Sequence, residues 1–154
     1  DSIIGRHASS NIVSRMVDAY ESEKADAVIA LEPVAASDVD QYGIVDVRDE
    51  NTDYLRITGA IEKPTIADAP TNLSIAARYV FSPAIYEALK DTPTDRHGTL
   101  QLTDAIAYLI DRGANIVGIK LQSDVKRYDI GNFDSYFKTF LEFTLTFENL
   151  SSLE

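Results

Sequence analysis

Where this chain could do chemistry, its residues gather in three short stretches. In Tyr128-Asp129-Ile130-Gly131-Asn132 an acid stands two places before a glycine at the end of a predicted strand. Such a turn can hold a hard divalent ion against a phosphate, with Gly131 letting backbone approach the ligand. The same Asp129 could instead cap a helix beginning near Asn132, and Asn132 could serve there too. Glu62-Lys63-Pro64 sets acid beside base where a proline stops a strand, and strand alternation would turn the two side chains to opposite faces. A carboxylate is a good acceptor for hydroxyls and an ammonium is a compact counter-charge for phosphate, but an adjacent Glu–Lys pair is also common solvated surface. Gly43, after Tyr42, suits either a turn or a ligand lying against bare backbone.

These residues need elements to aim them. Ile12, Met16, Val17 and Tyr20 recur at helical spacing behind the capping oxygens of Ser9, Ser10 and Asn11, which predicts a helix to about Glu23. Ala27 to Val34 reads as a buried strand. Ser37 to Tyr42 is a polar turn into a strand over Gly43 to Val47. Turn chemistry at 49–53 joins that strand to Tyr54–Glu62 as an antiparallel hairpin with an exposed tip. Pro64 and Pro70 bracket a loop, and Leu73 to Phe81 suits a central strand. Ser82 as cap and Pro83 at the first helical position open a helix to about Lys90. Thr92 to Gly98 is loop; Thr103 and Asp104 cap a helix that runs to Arg112 and stops at Gly113. Asn115 to Gln122 and Arg127 to Ile130 are predicted strands, and Asn132 to Leu150 a terminal helix.

That terminal helix carries Tyr136, Phe140, Phe143, Phe147 and Leu150 at spacings of four and three, widened by Phe133, Phe137 and Leu141. A stripe so broad needs a cover: the helix is expected to dock on its own domain, with a homo-oligomer contact as the other reading. Strands alternating with helices predict an α/β fold with a mixed β-sheet flanked by helices.

Composition narrows the classes. A length of 154 residues suits a single domain with one core, and a hydrophobic content of 45% is ordinary for a globular protein. The net charge of -11 argues against nucleic acid or an anionic membrane surface as partner. An anionic small substrate is compatible with it if a few cations and a metal reverse the local field. With no cysteine and only His7 and His97, thiolate chemistry and a His-rich zinc site are excluded. No apolar run is long enough to span a bilayer, and no basic-then-apolar leader is present.

Taken in order, Leu31-Glu32-Pro33-Val34, Tyr42-Gly43, Glu62-Lys63-Pro64, Asn72 through Val80, Gln101-Leu102-Thr103-Asp104-Ala105 and the Asp129 turn resemble the sugar nucleotidyltransferases. The pattern is most similar to the bacterial and archaeal UTP:glucose-1-phosphate uridylyltransferases. The resemblance implies a Rossmann-like nucleotidyltransferase fold, of which residues 1–154 form a single partial domain, the C-terminal sugar-binding part. Nothing here looks like the Gly-rich nucleotide loop with which that family begins, so the chain alone is expected to be inactive. The implied reaction joins UTP and glucose 1-phosphate into UDP-glucose and pyrophosphate with Mg2+, in the cytoplasm. By resemblance Asp129 and Asp1 are the metal ligands, with Lys63 and Asp129 catalytic. Gly43, Glu62, Lys63 and the backbone of Ile75 would bind the sugar phosphate, Glu62 taking hydroxyls and Lys63 the phosphate. Arg78, Lys126 and Arg127 are further cations near these stretches.

Two positions depart from the pattern. Ala77 stands where the relatives commonly have glycine, which would tighten the sugar pocket, and Thr99-Leu100 replaces an acidic-apolar pair, which bears on sugar identity. The alternatives are a non-catalytic or regulatory sugar-nucleotide-binding paralogue, an enzyme for another nucleotide or sugar such as dTDP-glucose, or a domain whose aromatic helix serves assembly. The enzyme reading requires Asp129, Asp1 and Lys63 to converge; the paralogue needs only Gly43, Glu62 and Lys63.

Overall fold

Ala27 to Leu31 are all buried, as a run without polar alternation must be if both faces of its strand are covered. The computed structural model that shows this describes residues 2–4, 11–48, 54–95, 97–122 and 125–151. In chain order the elements are β1 (Ser2–Ile4), α1 (Ile12–Ser22), β2 (Ala27–Pro33), a short 3-10 helix (Ala36–Gln41), β3 (Gly43–Arg48), β4 (Leu55–Glu62), β5 (Leu73–Phe81), α2 (Ala84–Asp91), α3 (Leu102–Asp111), β6 (Ile116–Lys120), β7 (Arg127–Asp129) and α4 (Phe133–Ser151). Ser9, Ser10 and the hairpin tip at 49–53 lie outside the described residues. Contacts group the chain into two units, residues 12–121 and residues 1–11 with 122–154.

In the larger unit β2 pairs with β5 antiparallel and with β6 in parallel, so the sheet is mixed as the hairpin predicted. β3 and β4 form that hairpin, with Gly43 opposite Glu62. The strand order β2-β5-β3-β4-β6 closes on itself, but the closing seams are thin: one pair, Ile44 with Ser74, joins β3 to β5, and Leu55–Gly118 and Arg56–Val117 join β4 to β6. Ile29, Leu31, Ile57, Leu73 and Ile75 pack with Ile85 and Ala88 of α2 and with Ala105, Ile106 and Leu109 of α3. Burying each of the larger aliphatic side chains stabilises by roughly 1.5 to 3 kcal/mol. α1 packs on β2 through Ile12, Met16 and Ala19, whereas Val17, expected on that face, is exposed.

β5 swells where it passes β2. Ile29 faces Tyr79 and Leu31 faces Ile75, leaving Ala76, Ala77 and Arg78 opposite Ala30 alone. Ala77 takes a left-handed φ of 52° at this bulge and is exposed. A glycine would sit there without steric cost, which is a backbone reason for the residue the pattern favours. Beyond β5 the predicted Ser82 cap is corrected. The helix begins at Ala84, and the Ser82 side chain has no hydrogen-bond partner. Its N–H is committed to the Asp26 carbonyl at 2.8 Å, and its carbonyl accepts from Ile85 N–H. α3 stops as expected at Gly113, whose φ is +85°.

In the smaller unit β1 and β7 form an antiparallel ribbon in which Ser2 faces Asp129. α4 touches β7 through a narrow seam: Phe143 meets Tyr128 edge-on at 5.2 Å, Tyr128 Oη donates to Glu142, and the Lys126 ammonium reaches Glu142 at 2.8 Å. Lys126 is thereby a structural clamp. The expected docking of α4 is confined to this seam, since Phe133, Tyr136, Phe137, Phe140, Leu141 and Leu145 are exposed, Phe133 to 82%. A ribbon of three-residue strands offers too little surface to cover so wide a stripe. The side chains of Phe147 and Leu150 lie outside the described set. Among the described residues no helix is long and apolar enough to cross a membrane.

Candidate functional site

The end of β4 brings together four of the residues singled out by the sequence. Because Gly43 and Glu62 are cross-strand partners, the Glu62 carboxylate leans over the Gly43 backbone. A Cβ on Gly43 would lie 2.8 Å from Thr103 Oγ1, 3.1 Å from Glu62 Oε2 and 3.3 Å from Ile75 Cδ1. The first of these is closer than real Cβ contacts come, so Gly43 is required by packing and is more than a turn residue. Ile75 itself belongs to the core, as its side chain type suggested.

Thr103 changes role. It lies inside the first turn of α3 and is 7% exposed, and its hydroxyl donates to Glu62 Oε2 at 2.6 Å. The predicted cap is therefore corrected: Gln101 flanks the helix with no side-chain cap bond, and Thr103 spends its donor across 41 residues of sequence. Such an O–H···O⁻ bond is short because the acceptor is charged.

Lys63 follows in a left-handed conformation, φ 47°, with its N–H donating to the Tyr42 carbonyl at 3.0 Å. This overturns the alternation expected of a strand end. The ammonium comes back to 4.0 Å from Glu62 Oε1, with its side chain 61% exposed against 23% for Glu62. An L-residue in that region stores strain of about 1 to 2 kcal/mol, and it is held here by the ladder before it and the buried Pro64 after it.

The surroundings are acidic. Asp104 has its carboxyl raised above the usual range, first by burial and then by the charges of Glu62 and Asp95. The Tyr79 phenol is raised as well, by burial and then by Glu62, so it stays protonated. Asp95 is pulled down to about 2 by the Gln101 side chain and the N–H groups of Thr99 and His97. Its Oδ1 accepts from both N–H groups and its Oδ2 from Gln101 Nε2, which shapes the loop leading into α3 and hence to Thr103. Lys63 is a cation beside Glu62; Arg78 donates to the carbonyl of its neighbour Ala77.

The acid of the Asp-x-Gly turn belongs to the other unit. Asp129 Oδ1 accepts from Gly131 N–H at 2.8 Å, closing its own turn. It does not cap α4. Asn132 does, its Oδ1 accepting from Ser135 N–H at 2.9 Å. An isolated carboxylate at a strand end suits Mg2+, which takes one or two protein carboxylates and fills its shell with water and phosphate oxygens. Among the described residues no group of three acids or histidines could hold a metal by itself, and Asp1, the second predicted ligand, lies outside them.

The sequence profile described as nucleotidyl transferase matches residues 3–145. The chain belongs to the nucleotidyl transferase family. A Methanocaldococcus jannaschii relative with the provisional name UTP–glucose-1-phosphate uridylyltransferase is 37% identical over 134 residues, covering 87% of this chain and 46% of its own length. The Haemophilus ducreyi UTP–glucose-1-phosphate uridylyltransferase is 36% identical over 130 residues, with 82% and 43% covered. The fold is similar to that of a UDP-glucose pyrophosphorylase complexed with UDP-glucose, with a TM-score of 0.82, 26% identity and coverage of 96% of this chain and 53% of that one. It is similar too to a UTP-bound UGPase from Acinetobacter baumannii, with a TM-score of 0.78, 35% identity and coverage of 94% and 48%. This chain thus spans about half the length of these family members. The α/β architecture read from the sequence, a mixed sheet with flanking helices, is the nucleotidyltransferase fold they share. What the sequence did not disclose was the bond from Thr103 to Glu62; the signal was Gly43, the glycine that opens β3.

Proposed function

We propose that this chain is the sugar-phosphate-binding part of an enzyme that transfers the uridylyl group of UTP to glucose 1-phosphate. A phosphate oxygen of glucose 1-phosphate attacks the α-phosphorus of UTP, the bond to the β-phosphate oxygen breaks, and UDP-glucose and pyrophosphate result. The attacking oxygen is already ionised, so the demand on the protein is to hold two anions together and to stabilise charge at the transferred phosphorus.

In this reading Glu62 accepts hydrogen bonds from sugar hydroxyls, and the Lys63 ammonium offsets the sugar phosphate. The backbone at Gly43 and Ile75 lies against the hexose. Asp129, with Asp1, would hold a Mg2+ ion, which when bound supplies positive charge against the phosphates. The observation that carries the proposal is the Gly43–Glu62 register with Lys63 folded back beside it, a hydroxyl acceptor and a phosphate counter-charge on one strand end. Relatives named for this reaction and a fold neighbour complexed with UDP-glucose support it.

The test is pyrophosphate release from UTP and glucose 1-phosphate with Mg2+, run on the 154-residue chain and on the longest natural chain that contains it. Turnover is expected of the longer chain, with Lys63→Ala raising KM for the sugar phosphate about tenfold or more and Lys24→Ala leaving it unchanged. Absence of turnover over several triphosphates and sugars, with sugar nucleotide still bound, would point to the regulatory paralogue.

A further inference from the structure

Glu62 ends a strand on a side chain with three rotors, yet one of its oxygens is fixed. The hydroxyl that fixes it comes from α3. Thr in a helix ordinarily turns its hydroxyl to a carbonyl one turn back, and here it reaches instead across to β4. Its branched Cβ limits χ1, and burial excludes competing water, so the donor itself has little freedom. With Oε2 engaged by Thr103, Oε1 is the oxygen that faces the Lys63 ammonium, at 4.0 Å.

We propose that Thr103 is the positioning residue of the sugar site: it clamps Glu62 so that the carboxylate is held in one orientation toward a sugar hydroxyl, and Gly43 is glycine to leave room for the clamp. This rests on the reading of Glu62 as the hydroxyl acceptor. The geometry makes Gly43, Thr103 and Glu62 one unit drawn from β3, α3 and β4. A methyl group at position 43 presses on both atoms of the hydrogen bond, at 2.8 Å and 3.1 Å. Removing the hydroxyl and adding the methyl therefore damage the same contact, and their effects on sugar affinity are not additive.

The test titrates the 154-residue chain with glucose 1-phosphate and, separately, with inorganic phosphate, which has no sugar hydroxyls. Thr103→Val, which keeps the shape and drops the hydroxyl, weakens glucose 1-phosphate binding about tenfold, as loss of a charge-assisted bond does. It leaves phosphate binding unchanged, and Thr103→Ser restores the sugar affinity. Gly43→Ala weakens it similarly, and the double variant Gly43→Ala, Thr103→Val is no worse than the poorer single. In the ligand-free protein the Glu62 carboxyl 13C resonance moves in Thr103→Val and returns in Thr103→Ser.

An unmoved resonance, or a Thr103→Val protein that binds glucose 1-phosphate normally while Glu62→Gln does not, overturns the positioning role and leaves the sugar-site reading standing. Normal binding by Glu62→Gln, or no binding by the unaltered chain, removes the sugar-site reading and this role with it.

Discussion

Two strand ends carry the candidate site acids Glu62 and Asp129, and they are held by different means. At the end of β4, Glu62 is fixed by a hydroxyl from α3, by space left at Gly43 on β3, and by a left-handed residue after it. At the end of β7, Asp129 is fixed by the N–H of Gly131, two residues on. The first carboxylate is oriented by tertiary structure, so substitutions far away in sequence reach it. The second is oriented by its own turn, and neighbours in sequence decide it. Under the proposed function, a Glu62 that meets the hydroxyls of a rigid sugar gains from the first arrangement, while an Asp129 that holds a hydrated ion works with the second.

The sharpest way to break this contrast is Gly43→Val. Overpacking at a contact already too close for a Cβ should destabilise by about 1 to 3 kcal/mol in urea denaturation and abolish detectable glucose 1-phosphate binding. A fully stable, sugar-binding Gly43→Val protein would show that β4's end is as locally built as β7's. Asn132→Ala, which removes the cap of α4, should cost about 1 kcal/mol in the same denaturation experiment.

Smaller effects separate strain that serves a site from strain that does not. Lys63→Gly and Ala77→Gly both relieve a positive φ, and each should stabilise by about 0.5 to 1 kcal/mol after the entropy of glycine is counted. Only Lys63→Gly should also weaken glucose 1-phosphate binding; calorimetry that finds both variants binding alike would leave the Lys63 conformation without a functional reason. The least effect is pH-dependent. Asp95 sits at about 2 in the folded protein against an ordinary 3.8, so its contribution is complete above about pH 4 and is lost as pH falls from there toward 2. In Asp95→Asn the acid limb of the stability–pH curve should be shallower over that window.

From α1 onward the order of strands and helices was legible because their apolar patterns are clean: Ala27 to Leu31 of β2 are all buried, and β3 and β4 flank obvious turn residues, whereas the three-residue β1 is too short to show a pattern. Gly43, Glu62 and Ile75 also fell together as the motif order implied. Thr103 was misread because a Thr-Asp pair ahead of an apolar helix satisfies every local rule for a cap, and only a partner 41 residues away decides otherwise. The left-handed turn at Lys63 was illegible for a similar reason: its side chain type does not announce a positive φ, which the ladder and Pro64 impose. The stripe on α4 was correctly seen as apolar, but a periodicity shows which face is greasy and not what stands opposite.

The placement of β2 has a consequence for how the chain comes into being. Its two neighbours are β5 and β6, and the link that locks its start, Asp26 Oδ2 accepting from Asn115 N–H, spans 89 residues. During synthesis β2 therefore emerges long before either flank exists, and at about 5 to 20 residues per second it waits several seconds as a strand without its sheet partners. Pairings of such long sequence separation slow folding relative to domains built from local contacts.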